Sequence, residues 1–348
     1  MLFSVCIPVY NTSKYLDECL TSVLCQTETD YEIVLVNDGS TDNSGEICDR
    51  YAAQYPHIRV IHKENEGLLM TRRRGFREAR GDYFLCLDSD DYWISDRVLE
   101  RLKVMIEEHN CDLVLFDYIA GKEDPSKNQN IILFDHPDGH IFEGDAKIEL
   151  YRKILIGRDL NAIWCKSPSR KIVDVNIDYT PWMSDICRGE DMFQSYPVLT
   201  NAKRIGYVKT PIVHYRWAPG SISNNPKLKF YNAFRTIYTR EDEYLPLWNM
   251  DPDTVRKARL RRIPNILGIL TTGYHASKRA GKLPEWKSFI KNISTDPFFH
   301  GLYPVEYRKN ISAYYKWLGQ LVMTGNVFLL ARTLDAYQWY LEHIKHRK

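Results

Sequence analysis

A chain of 348 residues with 44% hydrophobic and 26% charged side chains can bury one large domain with an appendage, or two domains, which excludes a disordered chain and a small disulfide scaffold. The formal net charge of +2 conceals an asymmetry. Residues 1–224 carry about 26 basic and 35 acidic side chains and residues 225–348 about 21 and 10, so an anionic partner is expected for the C-terminal third. The eight cysteines all precede residue 190 without close pairs at metal-ligand spacing, and read as small buried hydrophobes of a reducing cytoplasm. The opening Met-Leu-Phe-Ser-Val-Cys-Ile-Pro has no basic region ahead of its apolar residues and reads as a strand, not a signal peptide. No run reaches the ~18–20 apolar residues of a membrane span, so a cytoplasmic protein, soluble or peripheral on the inner membrane face, is expected. Repeats, low-complexity tracts and nucleic-acid motifs are absent from the sequence.

Leu2 to Ile7 forms a short apolar run closed by Pro8, and Ser13 opens a helical pattern with Leu16, Leu20, Val23 and Leu24 on one face. Ile33 to Val36 is a second buried strand, ending in Asn37-Asp-Gly-Ser-Thr-Asp-Asn-Ser44 and followed by a helix. Ile58 to Ile61 is a third; an arginine-rich helix after Gly67 leads to a fourth, Tyr83 to Leu87. Strands alternating with helices imply parallel crossovers, which bring Tyr10-Asn11, Asn37-Asp38 and Asp88-Ser89-Asp90 to one sheet edge, where ligands of open α/β sheets bind.

Asp88, Asp90 and Asp91 crowd three carboxylates into four residues. Either they form a solvated acidic turn before the next helix, or a divalent cation sits among them and bridges a substrate diphosphate. Asp38 either holds the turn made by Gly39 and Ser40 or accepts a hydrogen bond from uracil or thymine N3–H or guanine N1–H. Further along, Val98 to Ile106 reads as a helix, Leu113 to Phe116 as a strand, residues 120–143 as a loop and hairpin, and Lys147 to Ile156 as a helix. Lys203 to Val208 and Ile212 to Tyr215 read as two strands. From Phe230 on, helical spacing covers Phe230–Tyr244, Asp253–Ala280 and Tyr314–His343, where Leu330, Leu334, Tyr337, Leu341 and Ile344 share a face.

The motifs Ile7-Pro-Val-Tyr-Asn11, Asn37-Asp-Gly-Ser-Thr-Asp42, Asn65-Glu-Gly-Leu68 with Arg72 and Gly75, and Gly81-Asp-Tyr through Leu87-Asp-Ser-Asp-Asp91 resemble the successive motifs of family 2 glycosyltransferases, which are inverting enzymes of the GT-A fold common in bacterial capsule, exopolysaccharide and lipopolysaccharide assembly. The resemblance implies an α/β fold, a Rossmann-like mostly parallel sheet flanked by helices, as a catalytic domain over 1–224; from Asn225 on it is uninformative, and helical spacing with the charge count gives a mainly helical basic subdomain over 225–348. The resemblance also implies that Pro8, Val9, Tyr10 and Asn11 cradle the nucleoside, that Asp38 meets the base and Asp88 the ribose, and that Asp90 meets Mn2+ or Mg2+. Gly67, Ser89 and Arg72 join the donor-binding set, Arg72 on a phosphate, with Arg73 and Arg74 left to solvent. Ala162-Ile-Trp-Cys-Lys166 resembles the family's Trp-x-Lys segment, so Lys166 either reaches phosphate or is solvated.

Gly189-Glu-Asp-Met-Phe193 resembles the family's Glu-Asp pair at a helix start, which implies Asp191 as general base with Glu190 beside it; the alternative is a pair of acids complementing a helix N-terminus. His214-Tyr-Arg-Trp through Ser223 resembles a further segment, which implies Arg216 as a diphosphate clamp, His214 as either a metal ligand or a structural histidine, and Ser221 in a lid hinged at Gly220. The departures are Asn37, where the family often has aspartate, and Arg73, where it usually has asparagine. The expected reaction moves a sugar from a nucleotide-diphosphate donor, UDP-linked by preference, to a hydroxyl of a glycan or lipid-linked oligosaccharide. Polyprenyl phosphate as acceptor and a non-catalytic sugar-nucleotide or glycan-binding module are the alternatives. The basic run Arg256, Lys257, Arg259, Arg261 and Arg262 either lies on the solvated face of a packed helix or rests on anionic membrane.

Overall fold

The computed structural model describes residues 3–121, 125–157, 160–183, 185, 188–217, 228–302 and 310–343. Two compact units divide the chain, one of residues 1–184 with 189–221 and one of residues 185–188 with 222–348.

The first unit begins with strand β1 (Phe3–Val9), helix α1 (Ser13–Leu24), β2 (Tyr31–Asp38), α2 (Ser44–Gln54), β3 (Ile58–Lys63), α3 (Leu68–Glu78) and β4 (Tyr83–Cys86). The four strands form a parallel sheet in the order β3-β2-β1-β4. Every residue of β1 and β2 is buried, as their continuous apolar character requires of strands covered on both faces. Helix α3 packs on β1 and β2 so closely that a Cβ at Gly75 would stand 3.1 Å from Cβ of Cys6 and 3.6 Å from Cγ2 of Val36. Gly75 is therefore a packing requirement, and Gly75→Leu is expected to lower stability by ~1–3 kcal/mol through overpacking, read as the midpoint of chemical unfolding.

The unit continues through β5 (Tyr92–Trp93), α4 (Val98–His109), β6 (Leu113–Ala120), β7 (Gln129–Ile131), β8 (His140–Glu143), α5 (Lys147–Ile156), β9 (Lys166–Pro168), α6 (Glu190–Asn201) and β10 (Arg204–Tyr215). This half is mixed: β10 runs parallel to β6 but antiparallel to β5 and β8, and β6 runs antiparallel to β7 and β9. The two strands expected around residue 210 are one, interrupted by register shifts on either side of Pro211. A proline is tolerated there because a bulge relieves it of ladder hydrogen bonding.

The second unit contains α7 (Phe230–Leu247), α8 (Pro252–Arg279), α9 (Leu283–Ile293), the short α10 (Pro297–Gly301), α11 (Ala313–Met323) and α12 (Val327–His343). Its basic run is not an open basic face. Arg262 is buried and pairs with Glu241 and Asp242 of α7, Arg261 pairs with Glu241, and Arg259 with Asp242. Arg256 and Lys257 pair with Asp253. The five cations of this run share three carboxylates, Glu241, Asp242 and Asp253. No helix among the described residues is long and apolar enough to cross a membrane.

Candidate active site

The C-terminal ends of β1, β2 and β4 meet at one edge, and polar side chains stitch them together. Asn11, in the left-handed region at φ 52°, accepts the N–H of Thr41 at 2.8 Å and donates its own N–H to Ser40 at 3.1 Å. Thr12 donates its hydroxyl to Ser89 at 2.9 Å, which ties the first motif to the fourth. Tyr10 stands half exposed beside them, while Pro8 and Val9 lie within buried β1. The turn after Asp38 is held by Asn37, whose Oδ1 accepts the Ser40 N–H at 3.1 Å, and Asp38 reaches the segment before α3 instead. Its carboxylate accepts the N–H groups of Glu66 and Gly67, each at 2.9 Å, and pairs with Lys63. Lys63 was not singled out from the sequence, although the pairing of β2 with β3 places it opposite Asp38.

The centre of the site is Arg72. Its guanidinium is 1% exposed and makes a bidentate contact with Asp88 at 2.7 and 2.9 Å, one with Asp191 at 2.5 Å, and a longer one with Glu190 at 3.5 Å. Two acidic motifs about a hundred residues apart thus share one cation. Both terminal nitrogens of Arg72, the residue expected on a phosphate, face carboxylates in this structure. Arg73, expected in solvent, is buried; it donates to the carbonyl of Asp174 and lies over the ring of Tyr179. Arg74 is exposed and pairs with Glu78 of its own helix.

Gly189, at φ 80°, turns the chain into α6 and leaves Glu190 and Asp191 in its first turn. The Asp191 side chain is 26% exposed and that of Glu190 16%, so they are enclosed by protein but not sealed away. Enclosure, together with the Asp191 charge, pushes the Glu190 carboxyl up to about 7. Asp191 is also raised by enclosure, against the pull of Arg72. The Asp191 carboxylate also receives the backbone N–H of Ile163. Lys166 is neither solvated nor open to a phosphate: it is fully buried and donates to the carbonyls of Leu160 and Ala162, bracing the loop that carries Ile163.

Asp90 is raised to about 6, first by burial and then by Asp88. Asp91 is almost wholly buried; one oxygen accepts the Arg216 N–H at 2.7 Å and the other has no hydrogen-bond partner among the described residues. Burial and Asp90 push its carboxyl well up. Arg216 donates to the Asp90 carbonyl, pairs with Glu18 at 2.7 Å, and lies between the rings of Tyr15 and Tyr92. It frames the acidic turn rather than projecting as a free clamp. His214 stacks on Tyr92 at 4.7 Å, its Nε2 lies 3.1 Å from Asn128, and its buried Nδ1 has no partner among the described residues. Ser221, with Gly220 and Ser223, lies outside the described residues, as do Ile344 and the basic residues 345–348.

An all-oxygen donor set with a raised Asp90 and an unpartnered Asp91 oxygen fits a hard cation. No cluster of three or more such side chains among the described residues is arranged to hold one alone. The fit is that of an ion held by one or two carboxylates and completed by its substrate. A separate cavity of about 550 Å3, lined by Ser13, Lys14, Asn43, Glu46, Ile47 and Arg50, includes none of these acids, so the carboxylates locate the chemistry better than the cavity does.

The sequence profile of Glycosyl transferase family 2 matches residues 4–177. The chain belongs to glycosyl transferase family 2. EpsH of Bacillus subtilis, named as a glycosyltransferase, is 31% identical to this family 2 chain over 242 residues, 70% of this chain and 68% of EpsH. GlyG of Streptococcus pneumoniae, also named as a glycosyltransferase, is 44% identical over 118 residues, 34% of this chain and 39% of GlyG. Among solved structures, residues 1–349 of S. aureus TarS in complex with UDP match with a TM-score of 0.63 at 21% identity, over 97% of this chain and 92% of that one. That likeness establishes the GT-A fold of this family 2 glycosyltransferase.

Proposed function

We propose that the protein is a metal-dependent inverting glycosyltransferase that moves a sugar from a UDP-linked donor to a hydroxyl of a glycan or lipid-linked oligosaccharide, in the assembly of a bacterial surface polysaccharide, at the cytoplasmic side of the membrane. The observation that carries this reading is the Arg72 guanidinium, which places the acids after β4 and the acids of α6 around one point. Inverting transfer needs such a pairing: a donor-side carboxylate group and, across the reacting carbon, one base.

Asp191 is assigned as that base. One of its oxygens is fixed by Arg72, and the carboxylate takes the acceptor hydroxyl's proton as that oxygen attacks C1 from the face opposite the departing diphosphate. Glu190 stands beside Asp191, its own carboxyl raised by enclosure and by the Asp191 charge. Arg72 orients Asp88 towards the ribose and Asp191 towards the acceptor. Asp38 Oδ1 already accepts two hydrogen bonds and Oδ2 one, which leaves Oδ2 an acceptor position for the N3–H of uracil. TarS, whose solved complexes contain UDP and UDP-GlcNAc, supports the choice of a uridine donor. Asp90 would hold Mn2+ or Mg2+ together with the donor diphosphate, and His214 Nε2 would join only by giving up Asn128. When bound, the cation carries charge developing on the leaving group.

The electrostatics give a signed test. Asp90 at about 6 and Glu190 at about 7 lie above their values in an unfolded chain. Between the two sets of values the folded protein retains protons that the unfolded chain has released, so ligand-free stability from these groups falls as pH rises towards about 7. Metal-dependent donor affinity rises over the same interval, because the cation needs the ionised carboxylate. Asp90→Asn is expected to flatten the pH dependence of ligand-free Tm and to abolish the manganese-dependent part of stabilisation by UDP. A variant that kept both would remove Asp90 from the metal assignment. Transfer itself is tested by following UDP release and the anomeric configuration of the product by proton NMR, with inversion expected and retention contradicting the assignment.

A further inference from the structure

We infer that His62, as a neutral ring protonated at Nε2, is a positioning residue for the turn after β2, a role that rests on the reading of this edge as a nucleoside site. Charging the ring undoes the turn's anchor, so nucleoside binding weakens on acidification, independently of the acids on the metal side. Strand β3 pairs with β2 so that His62 stands opposite Asn37. The Asn37 side chain is buried and bonded at both ends: Oδ1 accepts the Ser40 N–H at 3.1 Å, and Nδ2 lies 2.9 Å from His62 Nδ1. The Ser40 hydroxyl in turn accepts the Asn11 N–H at 3.1 Å. On the far side of the imidazole, Nε2 lies 2.9 Å from Oδ1 of Asp49 on α2. Asp49, His62, Asn37 and Ser40 therefore form one chain of hydrogen bonds that ends on Asn11, in the first motif of the nucleoside edge.

One proton arrangement satisfies this chain. The Ser40 N–H can only donate, so the Asn37 atom facing it is the oxygen and the atom facing His62 is the amide nitrogen, a donor. His62 Nδ1 must then be bare, and the single ring proton sits on Nε2, donated to Asp49. A second proton, on Nδ1, would meet the Asn37 amide donor to donor. Turning the amide over would satisfy the imidazolium but leave the Ser40 N–H facing a donor, so one link is lost either way. Helix α2 closes over the junction: a Cβ at Gly45 would stand 3.0 Å from Asn37 Nδ2 and 3.8 Å from His62 Cε1. Aspartate in place of Asn37 would reverse the requirement, because its two oxygens could accept from Ser40 and from an imidazolium at once.

The ring is open to protons, with its side chain 47% exposed, and imidazole ordinarily changes charge between about pH 5 and 8. Among the described residues Asp49 is the charged group that bonds it; at 65% exposed, it favours the imidazolium only weakly. The other charged or titratable groups on the elements packed around the ring are engaged elsewhere. Asp42 accepts the N–H groups of Ser13 and Ser44, and Glu46 and Arg50 line the cavity beside α1. Burial pushes the Cys48 thiol up to about 12. Asp38 is paired with Lys63 and Glu32 with Arg59.

The test is titration of the full chain with uridine, which carries no phosphate, in the presence of chelator, at about pH 7.5 and about pH 5.5, on either side of the ordinary imidazole value. Wild-type affinity is expected to fall roughly threefold to tenfold at the lower pH, the worth of one hydrogen bond in the turn. His62→Gln is expected to bind uridine equally at both, and Asn37→Asp to bind as well or better at the lower. Nitrogen-15 NMR of the wild-type ring reads the tautomer without any ligand, with Nδ1 bare and Nε2 protonated at the higher pH as the expected result. A proton on Nδ1 there would overturn the role of His62. So would wild-type affinity that does not change with pH, or a fall that persists in His62→Gln or in Asn37→Asp. Uridine binding absent at both pH values would instead overturn the nucleoside reading of the edge, and this role with it.

Discussion

Asp191→Asn is expected to reduce turnover on the order of 10³-fold, within the range typical of removing a general base, while UDP affinity stays within a few-fold of wild type. The amide keeps the size of the carboxylate and can still accept from the Ile163 N–H that holds it, so the change is one of basicity more than of shape. Asp88 still engages Arg72 at two positions, and the donor side of the site stays assembled. The loss should therefore fall on kcat and kcat/KM alike, as for an interaction made in the transition state. Near-normal turnover, or a loss expressed wholly as weaker donor binding, would move the base to another residue, with Glu190 the next to test. The acid limb of the wild-type rate profile is expected above the ordinary carboxylate range, since enclosure raises both acids.

Arg72→Gln is expected to cost about 3–5 kcal/mol of stability, because removing one partner of a buried ion pair leaves the other charge uncompensated. Here three carboxylates depend on one guanidinium that is itself 1% exposed. Without the cation the folded-state pKa values of Glu190 and Asp191 rise further above the unfolded ones. The variant then binds protons on folding, and its deficit relative to wild type grows as pH rises from about 5 to about 8 and shrinks on acidification. Chemical unfolding at the two ends of that range measures it. Combining Arg72→Gln with Asp191→Asn should restore part of the stability, since the pair interacts directly and the two effects are not additive. A deficit independent of pH would mean that Arg72 acts through packing and does not organise the acids.

The first half of the site was legible because each element of it is local. A strand, a polar terminus and a helix recur three times before residue 80, and the parallel crossover rule alone brings Asn11, Asp38 and Asp88 to one edge. Arg72 and Arg73 show where this stops. Helical geometry separates consecutive arginines on α3, but only the segment around Asp174 and Tyr179, packed against that helix, makes Arg73 a buried residue. The partners of Arg72 lie 16, 118 and 119 residues away, beyond any periodicity. The partners of the α8 basic run are only partly local: Asp253 pairs with Arg256 and Lys257 on the same helix, but Glu241 and Asp242, which pair with Arg259, Arg261 and Arg262, sit on α7 about twenty residues earlier. Two-residue β5 and the antiparallel additions around β6 and β10 carry too few residues to leave a pattern.

The central claim is that the edge framed by Asp38, Asp88 and Asp90 takes a nucleoside diphosphate, and a thermal-shift panel of UDP, GDP, dTDP and CMP, each with manganese and with chelator, tests it most directly. Ligand that binds only the folded state raises its apparent stability by mass action. Stabilisation by UDP in the presence of manganese, lost with chelator and not matched by GDP or CMP, is the predicted result; no shift with any nucleotide in either condition would contradict it.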